Sequence, residues 1–106
     1  MSDAIAELIG VWDVTIATPI GSIKAVYVFT PDGAQVLGTA TSNGDETPLT
    51  DVRIEVPPRV TWKQRVRKPL RLHLEFDVEV RAGEMSGHSR AGRLPQTRVS
   101  GRRQPA

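Results

Sequence analysis

The sequence predicts an all-β protein, an eight-stranded antiparallel up-and-down barrel with a short N-terminal helix. Three observations carry this. Leu70, Leu72, Leu74, Phe76, Val78 and Val80 alternate without a break with Arg71, His73, Glu75, Asp77 and Glu79, the period-2 mark of a strand with one dry and one wet face. Similar segments recur along the chain, separated by Pro, Gly, Asn or Asp. A meander of that width with one dry face leaves two open edges unless it closes, and closing it gives a barrel.

Residues 1–9 hold the helix. Ser2 or Asp3 caps it, Ile5, Leu8 and Ile9 share one face, and Gly10 ends it. So short a helix is not stable alone and must dock. The strands then read as 11–17, 22–29, 34–42, 49–56, 60–66, 70–81, 84–91 and 96–102. Residues 1–106 form a single domain on this reading, with 103–106 a frayed tail.

The turns set expected registers. A type I turn at Thr30-Pro31-Asp32-Gly33 places Phe29, Tyr27, Ala25 and Ile23 opposite Gln35, Leu37, Thr39 and Thr41. A loop at Pro57-Pro58-Arg59 puts Ile54 opposite Trp62 and Val52 opposite Gln64. A loop at Arg67-Lys68-Pro69 puts Val66 opposite Leu70, Gln64 opposite Leu72 and Trp62 opposite Leu74. A two-residue turn at Ala82-Gly83 pairs Val80 with Met85 and Val78 with Gly87. In each case apolar faces meet, which supports one topology. On the outside the same registers set Arg59 by Asp77, Lys63 by His73, Asp51 by Arg65, Asp77 by His88 and Glu75 by Arg90, mostly opposite charges.

Gly10-Val11-Trp12, following a helical turn, resembles the start of the first strand in the calycin group, the lipocalin-, fatty-acid-binding- and avidin-like barrels. The resemblance implies a basic residue from the last strand across Trp12, here Arg98, Arg102 or Arg103, and an interior that holds a small molecule. The chain departs from lipocalins in its shorter strands and its lack of cysteine, and no biotin site is matched.

Composition narrows the function. Absence of cysteine removes disulfides, thiolate nucleophiles and cysteine metal sites. The N-terminus has neither a basic leader nor a long apolar run, so the expectation is a soluble protein of the reducing cytoplasm, with no membrane span. Charge is polarised: Lys24 is the only basic residue among 1–52, where Asp3, Glu7, Asp13, Asp32, Asp45, Glu46 and Asp51 lie, and the other lysines and arginines follow.

The interior expected from these faces includes Trp12, Val14, Ile16, Ile23, Ala25, Tyr27, Leu37, Thr39, Thr41, Val52, Ile54, Trp62, Gln64, Leu72, Leu74, Phe76, Val78 and Met85. Most of that is ordinary core. The polar members Tyr27, Thr39, Thr41 and Gln64 either satisfy one another or orient a ligand. The favoured reading is a binder of a small apolar or amphipathic molecule, with Trp12, Tyr27, Trp62, Phe76 and Met85 as walls and Thr39 and Gln64 as polar anchors. The alternatives are a cofactor-independent cyclase, isomerase or hydratase in which Tyr27 or Asp13 handles the proton, and a packed interaction module.

His73 and His88 fall on the charged outer face, where surface ion pairing is the plainer role, and the sequence calls for no metal and no cofactor. The basic run Arg59, Lys63, Arg65, Arg67, Lys68 and Arg71 lacks interleaved aromatic residues on its face, which disfavours nucleic acid. Val26, Val28, Val36, Gly38 and Ala40 are expected on the outside of the second and third strands, covered by the helix or by a second subunit in a homodimer.

Overall fold

The strands close in chain order, with the eighth returning to the first. The computed structural model describes residues 3–18, 21–66 and 72–105. Helix α1 (Asp3–Leu8) leads into β1 (Gly10–Thr18), β2 (Gly21–Asp32), β3 (Gln35–Ser42), β4 (Asp45–Ile54), β5 (Arg59–Val66), β6 (Leu72–Arg81), β7 (Glu84–Ala91) and β8 (Thr97–Arg103). Neighbours are antiparallel throughout, and β8 seals the barrel on β1 from Trp12 opposite Arg103 to Ile16 opposite Val99. Among the described residues no helix is long and apolar enough to cross a membrane.

Three of the four expected connections keep their faces next to the turn. The Ala82-Gly83 turn pairs Val80 with Met85 and Val78 with Gly87. Between β5 and β6 the register is two residues off expectation, with Trp62 opposite Phe76 and Gln64 opposite Leu74. A slip of two leaves every side chain on its own face. The expected loop 67–69 and residues 70–71 lie outside the described residues.

The β2–β3 hairpin is different. β2 runs on to Asp32, and the turn is Gly33-Ala34, with Gly33 at φ 62° in the first central position, where a II′ turn needs a positive φ. Tyr27 therefore faces Ala40 and Phe29 faces Gly38. This register is three residues from the expected one, and an odd shift exchanges the faces of β3. Val36, Gly38 and Ala40 point inward, while Leu37 is 54% exposed and Thr39 and Thr41 lie outside. The reason is volume: a Cβ on Gly38 would stand 2.7 Å from Leu49 Cδ1 and 3.0 Å from the Phe29 ring, so β3 must be thin where the rings sit.

β4 begins earlier than expected and brings Leu49 into the core. Next to the loop Ile54 faces Val60 rather than Trp62, two residues off expectation and on the same face; a bulge between Thr50 and Arg53, with Asp51 at φ 51°, then shifts the register, so Leu49 faces Gln64. Val52 and Ile54 end half-buried.

Helix α1 closes one end of the barrel instead of covering the outside of β2 and β3. Leu8 is fully buried, and Ile5 and Ile9 pack against the core. The Trp12 indole Nε1 donates to the Leu8 carbonyl at 2.9 Å. Arg103 is the basic partner, its guanidinium 5.8 Å from the Trp12 ring centre. It also donates through Nη1 to the carbonyls of Glu7 (2.8 Å), Ala6 (3.2 Å) and Ile9 (3.4 Å), groups that a helix C-terminus leaves without partners. The expected frayed tail is thus anchored at its start: Arg103 ends β8, the Gln104 amide donates to Val11 O at 2.7 Å, and its side chain donates to Asp13 Oδ1 at 2.9 Å.

Candidate ligand site

Inward positions fall into three levels between the helix end and the far end. At the helix end Leu8, Trp12, Phe29, Val36, Val60, Val80 and Met85 are 6% exposed or less. The middle is filled by rings. Trp62 stacks on Phe76 at 4.9 Å between centroids and meets Phe29 at 5.4 Å and Tyr27 at 5.6 Å. Such offset and edge-on pairs each add about 0.5–1.5 kcal/mol beyond their buried area.

The third level is the far rim, where β1 gives Ile16, β2 gives Ile23, and β6 gives Leu72 and Leu74. Pairing fixes their direction, since residues opposite one another share a face: Ile16 faces Ile23 on one side and buried Val99 on the other, and Leu74 faces Gln64. Yet Ile23 is 44% exposed, and Leu72 and Leu74 are half-buried. Among the described residues the interior wall is apolar here and partly exposed.

Polar groups lie just below that rim. The Tyr27 hydroxyl donates to Gln64 Oε1 at 2.7 Å across the barrel. Burial pushes the Tyr27 hydroxyl well above the usual tyrosine range, more than the Gln64 amide lowers it, so the phenol keeps its proton. Ser89 and Thr97 bond through their hydroxyls at 2.9 Å. Trp62 Nε1 is buried and has no acceptor among the described residues.

Of the residues expected to form the site, Trp12, Tyr27, Trp62, Gln64, Phe76 and Met85 lie inside, and the central rings and Gln64 come together. Thr39 does not join them, for the register reason given above. Asp13 is exposed on the outer side of β1, bonded to Gln104, and nowhere near the Tyr27 proton. The expected interior missed Phe29, which shares the odd face of Tyr27, and Ser89, which continues the alternation of Met85 along β7.

Two concavities lie elsewhere. One of about 360 Å³ sits beside α1, between Glu7, Ile54, Pro58, Val60 and Val80. The other, of about 410 Å³, crosses the outer face of β4 to β7. Its charges are mixed: Arg59 pairs with Asp77 at 2.8 Å and Lys63 with Asp51 at 3.8 Å. His88 stands opposite Asp77 and Glu75 opposite Arg90, as expected; Lys63 faces Glu75 instead of His73, which faces Arg65. Among the described residues no three His, Asp or Glu side chains are grouped to hold a metal ion.

Fold and site together define a closed eight-stranded antiparallel barrel, sealed by a helix at one end and, among the described residues, apolar and partly exposed at the other. No family model matches the chain, and neither a curated protein nor a solved structure matches it.

Proposed function

We propose that the protein is a calycin-like binding barrel that takes a small apolar or amphipathic molecule through the rim formed by Ile16, Ile23, Leu72 and Leu74. The observation that carries this reading is Ile23, an inward-facing apolar side chain left 44% exposed while its counterparts at the helix end are covered. A partly exposed apolar wall above a few polar groups is the usual makeup of a small-molecule site. Catalysis is less well supported. Tyr27 holds its proton and already spends it on Gln64, and Asp13 faces outward.

Native mass spectrometry of the protein purified from its own host tests the reading. The expected result is a stoichiometric small molecule, lost in Ile23→Glu and retained in Lys24→Glu, its neighbour on the opposite face. Empty protein, together with unchanged tryptophan fluorescence on titration with an apolar dye, overturns it.

A further inference from the structure

We infer that the ligand of this interior is an uncharged molecule bearing a hydrogen-bond acceptor, such as a ketone, aldehyde or ester oxygen, and that the Trp62 indole N–H binds that oxygen. The inference rests on the interior-binding reading and adds the chemistry of the ligand. The protein has two tryptophans, both buried, and they differ in one respect. Trp12 donates its indole proton to Leu8 O, whereas Trp62, 1% exposed, has no acceptor among the described residues. A buried donor left unmade costs about 1–3 kcal/mol, so an acceptor brought to it gains more than the same contact would in water.

The other interior polar groups point the same way. Tyr27 and Gln64 consume one donor and one acceptor between them, and Ser89 and Thr97 satisfy each other. Trp62 Nε1 is the one buried side-chain nitrogen or oxygen without a partner among the described residues, and Gln64 is its near neighbour. Gln64 lies two positions from Trp62 on the same face of β5, about 7 Å along the strand. The unmet polar group of the interior, among the described residues, is therefore a donor. Among the described residues the interior offers no charge: the buried polar ones are Gln64 and Ser89, beside which an ionised carboxylate or ammonium finds no described counter-charge.

The test uses the ¹⁵N-labelled full chain and three probes of similar shape: acetophenone, ethylbenzene and benzoate. Trp62→Phe, which keeps a ring and removes the N–H, identifies the Trp62 indole resonance. The expected result is that acetophenone moves that resonance downfield and leaves the Trp12 indole in place. It should bind about five- to tenfold more tightly than ethylbenzene, with benzoate weakest. Trp62→Phe should abolish the preference for acetophenone over ethylbenzene. If all three probes bind alike with the Trp62 resonance unmoved, the inference fails and the interior-binding reading stands. If none binds at any concentration up to saturation, that reading fails too. Should Trp62→Phe not fold, the resonance shift and the ranking in the unmodified protein decide.

Discussion

The Tyr27 hydroxyl on β2 reaches across the barrel to Gln64 on β5 at 2.7 Å, and both residues are buried. Each is the other's partner, so removing one leaves the other's polar group buried and unmet. Tyr27→Phe should lower unfolding free energy by about 1–3 kcal/mol. Gln64→Leu should cost a similar amount. The double variant should cost clearly less than the sum, because the two substitutions remove a single bond. Urea denaturation of the four proteins measures this, and strict additivity would show that the pair does not couple.

Arg103 joins the end of β8 to the end of α1. Its loss takes a charged donor from three carbonyls and a cation from the Trp12 ring. Arg103→Met, which keeps much of the apolar stem, should destabilise the protein by about 1–3 kcal/mol. Arg103→Lys should recover part of that, since a point charge replaces a fork of donors. Amide hydrogen exchange should rise first at Ile9, whose N–H bonds to Ile5 O within the helix end.

Gly87 is set by close approach and not by backbone angle. A Cβ there would collide with the Asp77 carbonyl oxygen and stand 2.6 Å from Val78 Cα, both backbone atoms of β6. Since neither can turn aside, Gly87→Ala should cost about 3 kcal/mol or prevent closure of the β6–β7 ladder. Gly101→Ala, whose nearest neighbour would be the Val14 methyl at 3.1 Å, should cost less. Thermal denaturation ranks the two.

Arg59 and Asp77 give the outer face a pH-dependent term. The hydrogen-bonded guanidinium holds the Asp77 carboxyl below its ordinary range, against the opposing effect of partial burial. A carboxyl lowered in the folded state adds stability that is complete above its unfolded value near ~4 and fades as pH falls through the folded one. Arg59→Gln should therefore be less stable than the parent at pH 7, by the small amount typical of exposed pairs, and equal to it below the folded Asp77 pKa. A gap that persists unchanged to pH 2 would assign the effect to packing.

Strand number and order were legible because alternation is strong on β6 and Gly, Pro, Asn or Asp separates the segments, even where the exact turn does not follow from them. The inward set of β5 and β6 survived a register error of two because side-chain period is two. β3 was not legible in the same way. Val36, Leu37, Gly38, Thr39, Ala40 and Thr41 present apolar or small residues on both faces, so periodicity does not choose between them. The choice is made by the Phe29 and Leu49 side chains, which need the space a glycine leaves and which come from other strands. The seal by Arg103 was legible only as one of three arginines. Which one meets Trp12 depends on the shear of β8 against β1.

The β3 register can be tested by substitution on adjacent residues. Val36 is 6% exposed inside the barrel, and Leu37, its larger neighbour, is 54% exposed outside. Val36→Ala removes two buried carbons and leaves a small void, so it should cost about 2 kcal/mol. Leu37→Lys puts a charge where solvent already reaches, and it should change stability by no more than about 0.5 kcal/mol. The alternative register, with Leu37 inside, requires the opposite ranking, because a lysine there would bury an unpaired ammonium. Equilibrium urea unfolding of the two single variants decides: a severe loss in Leu37→Lys with little change in Val36→Ala would return Leu37, Thr39 and Thr41 to the interior.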